Sequence, residues 1–434
     1  MCSCSLLTVR LIWLQSKSYI NVMFCGYRVQ KNSLIRTQLP LIPELVKTLT
    51  KRFGNGHLTS FGRRITNPQS LFSNYSTRTS SSIPHQYKIV FIGNDSFSLS
   101  SLIELTKLLS PANVSVVVAS ESNIVGKYAK KHNNKIYLWN DFKTPEFGEK
   151  LSAEGYSFDF GVVASFGYLI PARVINRFPL GILNVHGSLL PRWRGASPIA
   201  HSIMFGDPET GISIMKIAPH RFDVGPVLHT KKVPLDPHIR EPDLRNLLAD
   251  LGAGALIEVV KNLPNFLNNP IYQDERLATK APKLVPEMAD VDWTSKSAVD
   301  VYRLYLALYG TLKLKTTFNG RKVDLDEIEL PLFIKTDGKN INYESKRMNS
   351  EVSLDELPAE SVPGQIVYIR NVLLVRCCDP TWVVVKKVKL GVKWMNATDF
   401  KNGFLSKGKM PKNVERKFEY IISTPILKDS QANF

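Results

Sequence analysis

The chain has 434 residues, 44% of them hydrophobic and 22% charged, which is enough for two globular domains and an extension. No apolar run approaches the roughly 18–20 residues that span a bilayer, and five cysteines without CxxC spacing give neither a disulfide framework nor a cysteine-held metal. The formal charge of +18 is unevenly placed: residues 1–83 carry eleven Lys/Arg and one acid, Glu44, so 11 − 1 leaves +10 there and +8 for the rest.

The first segment is rich in Ser, Thr, Arg and Asn, the composition of an organelle transit peptide, because a membrane potential draws basic, acid-poor segments inward. A disordered basic tail has the same composition. A secretory signal fits less well, since Arg10 interrupts the apolar stretch and no small-residue cleavage site follows; Met23 offers an internal start. Cys2, Cys4 and Cys25 fall in this segment, and Cys377 and Cys378 are adjacent in a predicted strand, where they point to opposite faces. A reducing compartment is the default.

Order is predicted from Tyr87. Strands at 88–92, 114–119, 135–139, 158–164, 181–185 and 211–217 alternate with helical stretches at 97–109 and 126–132, which predicts an α/β domain with a largely parallel sheet. A helix over 241–263, stopped by Pro264, closes the domain, here bounded at 84–269. Pro- and Lys-punctuated residues 270–288 read as a linker, and a second domain follows over 289–428. It opens with a helix over 295–309, whose predicted buried stripe is Val299, Tyr302, Leu306 and Tyr309. Short strands at 313–318, 321–325, 364–369, 372–377 and 382–390 then predict a small β-barrel. Asn319-Gly320 is a hairpin signal, the apolar positions of 313–318 are barrel core, and 335–361 reads as a long loop.

The informative stretch is Asn184–Gly195, NVHGSLLPRWRG, at the C-terminal end of a buried strand. Positions i and i+2 of a strand share a face, so Asn184 and His186 point into one crevice while Val185 enters the core. An amide donor beside an imidazole suits the oxyanion and the proton of an acyl transfer. The same pair would also serve as the hydrogen-bonded close of a strand. Ser188, Leu189, Leu190 and Pro191 follow a glycine, so the chain can turn and present apolar and hydroxyl groups beside the pair. Asp223, beyond the next strand, is placed to orient His186 or to accept a proton, although alone it reads as a turn residue.

The block from Asn184 to Gly195 resembles the signature of enzymes that transfer formyl from 10-formyltetrahydrofolate. With Ala196-Ser197-Pro198-Ile199 and Gly206–Gly211 (GDPETG), it resembles the methionyl-tRNA formyltransferase family in particular. The likeness begins near Phe91–Phe97 (FIGNDSF), reaches Val291-Asp292-Trp293, and covers about residues 86–405. It implies a Rossmann-like catalytic domain followed by an OB-like barrel. It implies Asn184, His186 and Asp223 as the catalytic trio, Ser188, Leu189, Leu190 and Pro191 as the folate-lining loop, and no metal or nucleotide cofactor. Gly93 stands alone, without the GxGxxG of a dinucleotide site. Initiator methionyl-tRNA and the folate are the implied partners, in the mitochondrial matrix, with a monomer expected and no membrane contact.

Two departures stand out. Bacterial members carry a long basic loop after the second strand, where only residues 120–126 bridge the interval here. The run Ala218–Phe222 also looks like the mitochondrial form.

From Ser361 to Lys428 thirteen Lys/Arg face four acids, a net of 13 − 4 = +9, and this basic region includes Lys386, Lys387, Lys389, Lys393, Lys401, Lys407, Lys409, Lys412, Arg416 and Lys417. Such a patch suits phosphate contact, and a solvated lysine face would look the same. Arg192 and Arg194 flank Trp193 and either meet the tRNA end or rim the pocket. His201, His220 and His229 form no metal set, and His201 reads as an exposed helix residue. Two other readings remain: a formyl-folate enzyme acting on a small amine or on water, and an RNA-binding protein built on a retired catalytic scaffold.

Overall fold

Runs of β-branched residues buried on both faces build the first sheet, as expected when helices cover both sides of parallel strands. The computed structural model describes residues 87–219, 221–334, 351–353, 357–406 and 416–419. The predicted leader, His220, Lys407, Lys409, Lys412 and most of the predicted loop at 335–361 lie outside the described residues.

In chain order come β1 (Ile89–Ile92), α1 (Ser96–Leu109), β2 (Val114–Val118), α2 (Ile124–Lys131), β3 (Ile136–Leu138), α3 (Pro145–Ala153), β4 (Phe160–Ala164) and β5 (Ile182–His186). They are followed by α4 (Pro198–Met204), β6 (Glu209–Lys216), β7 (Val227–Pro234) and α5 (Glu241–Lys261). The sheet order is β3-β2-β1-β4-β5-β6-β7, with β1 to β5 parallel and β6 and β7 antiparallel. Strand order reverses at β1, so a crevice opens at the C-terminal ends of β1, β4 and β5. This is the predicted Rossmann-like arrangement. Asp95 caps α1 in a capping box with Ser98, which fixes the turn out of β1. In this domain α3 and β7 are not among the elements predicted above. α3 buries only Leu151, so it has no apolar stripe to read, and β7 is an edge strand that buries only Val227 and Leu228 and then runs on with mostly polar, partly or fully exposed positions.

The second unit of structure begins with α6 (Ala298–Leu308), capped by Ser297 and Asp300. Its buried residues include Val301, Leu304, Tyr305 and Leu308; of the predicted stripe Leu306 is buried, whereas Val299, Tyr302 and Tyr309 are only partly buried. The reason is that α6 packs on α4 on one side and on the barrel on the other, and one stripe does not describe it. β8 (Leu314–Phe318) and β9 (Arg321–Glu329) form the predicted hairpin, with Asn319 and Gly320 at φ 51° and 69°. β10 (Leu332–Ile334) pairs with β11 (Glu351–Ser353), a strand inside the segment predicted as loop. β12 (Ile366–Ile369), β13 (Val372–Arg376), β14 (Trp382–Leu390), β15 (Lys393–Asn396) and the single turn α7 (Ala397–Phe400) complete it.

The antiparallel order is β12-β13-β14-β9-β8, with β15 on β14. Residues 416–419 then bond to both free edges. Thr317 and Glu419 exchange N–H···O bonds of 3.0 and 2.8 Å, and Ile366 N and Phe418 N donate to Arg416 O and Gly364 O at 2.8 Å each. The sheet is thereby closed into a barrel, with Phe318, Phe400, Phe418 and Trp293 buried inside it. Cys377 is buried, which pushes its thiol pKa up, and Cys378 is exposed; both are free, and both lie just beyond β13, which ends at Arg376, and not in the predicted strand. Among the described residues no helix is long and apolar enough to cross a membrane.

Candidate active site

β5 delivers Asn184 and His186 to the crevice, and the sheet fixes where they stand. Asn184 lies opposite Val163 of β4 and Met215 of β6, and His186 lies opposite Ser213. Val185, between them, is buried in the main core, as the alternation predicts.

The connection from β6 to β7 brings in the third group. Asp223 sits at φ 54°, a left-handed conformation that Asp tolerates better than most residues. Two residues on, the chain passes so close to β6 that a Cβ on Gly225 would stand 1.8 Å from Lys216 O, so only glycine fits. The carboxylate of Asp223 thereby returns to the end of β5. Its Oδ1 accepts from Asn184 Nδ2 at 3.2 Å and lies 3.5 Å from His186 Nδ1, and its Oδ2 accepts from Gly195 N at 2.9 Å. His186 Nε2 contacts Trp193 O at 2.9 Å; a carbonyl only accepts, so Nε2 is the protonated nitrogen there and Nδ1 faces the carboxylate. An amide donor and an imidazole therefore converge on one negatively charged oxygen. Side chains 6% and 9% exposed place His186 and Asp223 away from bulk water, where such interactions are least screened.

The loop after His186 is less open than the sequence suggested. Ser188 is fully buried and donates through Oγ to Arg192 O at 2.7 Å, so its hydroxyl serves the loop rather than the crevice. Leu190 packs against Met215 and Val227, joined by a cis bond to Pro191; Leu189 and Pro191 stay partly exposed. Asp207, which the sequence reading left without a role, anchors the far side. Its buried carboxylate accepts from Arg192 Nε at 2.7 Å and Trp193 Nε1 at 2.7 Å, and is also paired with Arg192 Nη2. The Arg192 guanidinium lies 4.4 Å over the Trp193 ring and its side chain is 44% exposed.

Arg194 turns inward and does not meet the tRNA end. Its Nε donates to Gln273 Oε1 at 3.0 Å and its other nitrogens to Glu275 at 2.8 and 3.1 Å, leaving the side chain 10% exposed. It braces the site and is not available to a phosphate. The lysines of β14 are also engaged: Lys386 with Glu329 at 2.6 Å, Lys387 with Glu327 at 2.6 Å and Lys389 with Asp324 at 3.5 Å, all from β9. Counting lysines along β14 missed these carboxylates, which lie on the neighbouring strand. Lys393 is exposed.

His201 is buried, not exposed. It lies between Trp193 and Phe205, with Nδ1 on Ser197 O at 2.9 Å. Burial lowers its pKa from the ordinary 6.5. The unfolded ring takes up a proton that the folded ring resists, so this contribution to stability is present above the ordinary value and lost as pH falls below it. Lowering the pH from about 7.5 to about 5.5 is expected to reduce Tm, and His201→Gln to reduce that fall; an equal fall in both proteins would remove His201 as the source. Among the described residues no three His, Cys, Asp or Glu side chains are grouped to hold a metal ion.

A parallel-sheet domain with an Asn–His–Asp cluster at the end of its fifth strand, joined to a closed antiparallel barrel, defines the class. The formyl transferase model matches residues 87–260 and the formyl transferase C-terminal domain model residues 283–405, so the chain belongs to the formyltransferase family. Within that family it is similar to the mitochondrial methionyl-tRNA formyltransferases. It is 36% identical over 332 residues to the Bos taurus protein, covering 74% of this chain and 78% of that one. Against the Homo sapiens protein it is 35% identical over 335 residues, again covering 74% and 78%. Among solved structures, HypX from Aquifex aeolicus in complex with tetrahydrofolic acid is 19% identical with a TM-score of 0.46, covering 74% of this chain and 48% of that one.

Proposed function

We propose that the protein transfers the formyl group of 10-formyltetrahydrofolate to the α-amino group of initiator methionyl-tRNA, as a monomer in the mitochondrial matrix. The observation that carries this reading is the convergence of Asn184 Nδ2 and His186 Nδ1 on the single oxygen Asp223 Oδ1, in a chain matching both halves of the family. An Asn184 amide arranged to meet a carboxylate oxygen is arranged to meet the oxyanion of a tetrahedral intermediate beside it, and His186 joins it as a donor once Nδ1 has taken up the amine proton. The neutral amine attacks the formyl carbon, and charge gathers on the formyl oxygen against Asn184 and His186. The bond to the folate N10 then breaks. The amine proton passes through the His186–Asp223 pair to N10, so tetrahydrofolate leaves neutral at that atom. Leu189 and Pro191, still accessible, line the folate side, with Ser188 and Leu190 holding the loop from within.

In this reading residues 84–269 are the catalytic domain, 270–288 join the two parts, 289–428 bind tRNA and 1–83 direct import. The test is direct. The full chain is given labelled 10-formyltetrahydrofolate with methionyl-tRNA, with glycinamide ribonucleotide, or with water alone. Label on methionyl-tRNA is expected; label on the ribonucleotide or free formate instead would replace this reading with the small-amine or hydrolase alternative.

The stretch between β2 and α2, residues 119–123, has Glu121 as its only charged residue and is tied down through Asn94, whose Oδ1 accepts from Ala119 N at 2.8 Å and Asn123 Nδ2 at 3.0 Å. We therefore assign the phosphate contacts to Arg192 and to the β14–β15 hairpin, with Lys387 and Lys389 on one face and Lys386 and Lys393 on the other. Reversing Lys387, Lys389 and Lys393 to Glu is expected to raise KM for tRNA and flatten its salt dependence. Neutralising their partners, Glu327→Gln with Asp324→Asn, is expected to lower that KM. Unchanged constants in both variants would place the tRNA elsewhere.

A further inference from the structure

The turn that carries Asp223 poses a question of support. Its carboxylate is committed to Asn184 and to Gly195 N, and its backbone is held at φ 54°. Something else must fix the main chain, because a left-handed Asp next to a loop would otherwise relax. That support comes from the segment between the two domains. Gln273 Nε2 donates to Asp223 O at 2.9 Å and to Gly225 O at 2.7 Å, so one amide group staples both sides of the turn. The orientation of this amide is determined by its partners: two carbonyls require the NH2 end, and Arg194 Nε–H at 3.0 Å requires the oxygen end.

The rest of the segment is bonded to the site in the same way. Val227 and Ile271 exchange N–H···O bonds of 2.8 Å each. Thr279 Oγ1 accepts from Trp193 N at 2.9 Å, Thr279 O accepts from Arg194 N at 2.8 Å, and Ala281 N donates to Arg194 O at 2.7 Å. Gly195, at φ 124°, runs against this strap so closely that a Cβ would stand 2.5 Å from Ala281 O. The loop carrying the acceptor of His186 and the turn carrying Asp223 are thus held by one strap.

We infer that Gln273 is a positioning residue for the transfer reaction, holding Asp223 where its carboxylate meets Asn184 and His186. This rests on the formyl-transfer reading of those three residues. The segment read from sequence as a linker is in this view part of the site's frame. It leads on to α6 and the barrel, so the part of the chain proposed to bind tRNA is continuous with the support of Asp223.

The experiment compares the full chain with Gln273→Ala, Gln273→Glu, Asp223→Asn and the double variant Gln273→Ala/Asp223→Asn, all checked for wild-type circular dichroism. Gln273→Ala is expected to lower kcat by about 10–100-fold, the usual loss when the support of a working group is removed. Its KM for either substrate should stay within about twofold. Gln273→Glu keeps the side-chain length and the acceptor for Arg194, but sets an oxygen against two carbonyls, and should lose at least as much. In the Asp223→Asn background, removing Gln273 should cost nothing further. A Gln273→Ala protein as fast as the parent, or a loss that multiplies onto that of Asp223→Asn, overturns the inference. If instead the parent does not formylate, or Asp223→Asn runs at the parent rate, it is the reading of the trio that falls, and the inference with it.

Discussion

Asn184→Ala is expected to lower kcat for formylation of methionyl-tRNA by about 100–1,000-fold, and His186→Ala by a similar factor. Loss of one fixed oxyanion donor typically costs about 2.7–4 kcal/mol of transition-state stabilisation. Both groups point at the same oxygen, so the double variant should lose much less than the product of the single losses, because one donor without the other no longer frames the oxyanion. The two variants differ in stability. Asn184 is partly exposed, and its hydrogen bond to Asp223 is a long one at 3.2 Å, so its removal should leave Tm nearly unchanged. His186 is 6% exposed and bonded to Trp193 O, so its truncation leaves a cavity and a carbonyl without its partner. Tm should fall in His186→Ala, and the rate should be read below that new midpoint. Steady-state rates with circular dichroism on the same samples decide the matter: near-parental turnover in both variants would move the chemistry away from the end of β5.

The sheet was legible because its strands are short β-branched runs buried on both faces, and because Asn184, Val185 and His186 obey strand alternation to the residue. The barrel hairpin was legible through Asn319-Gly320, whose positive φ values only a few residue types tolerate. What stayed hidden depends on groups far apart in sequence. Asp207 lies within a stretch noted for its resemblance, yet nothing local says that it accepts from Trp193 and Arg192. Arg194 and Ser188 look like presented side chains in a loop, and only Glu275, Gln273 and the loop's own carbonyls reveal that they face inward. The lysines of β14 look like a bare patch until β9 sets an acid beside each of three. Pro270 and the lysines near it read as a linker, because composition does not record backbone bonds made to Val227, Arg194 and Trp193.

Asp207→Ala is expected to cost about 2–3 kcal/mol of stability and to lower Tm by about 5 °C or more. The carboxylate is 8% exposed and serves two residues of the signature loop. Truncation leaves the Trp193 indole N–H, in a residue 5% exposed, with no acceptor, and that orphaned donor is the larger part of the cost. Arg192 loses its pairing too, but nearly half of its side chain is exposed, so water replaces much of what is lost there. Arg192→Met, which keeps an apolar cover over the Trp193 ring, should therefore destabilise less than Asp207→Ala. The loss should also reach the chemistry. Trp193 stands at φ 63° and its carbonyl is the partner of His186 Nε2. A Trp193 released at its indole end no longer holds that carbonyl in place, and kcat should fall by about tenfold, as when an outer partner of a working histidine is removed. Asp207→Asn separates the two effects: the amide still accepts from one of the two donors but turns a second donor toward the other, so it should keep part of the stability and part of the rate. Thermal unfolding and turnover measured on Asp207→Ala, Asp207→Asn and Arg192→Met should rank in that order of damage, or with the last two exchanged. An Asp207→Ala protein that melts and turns over like the parent would leave the signature loop anchored by something other than this carboxylate.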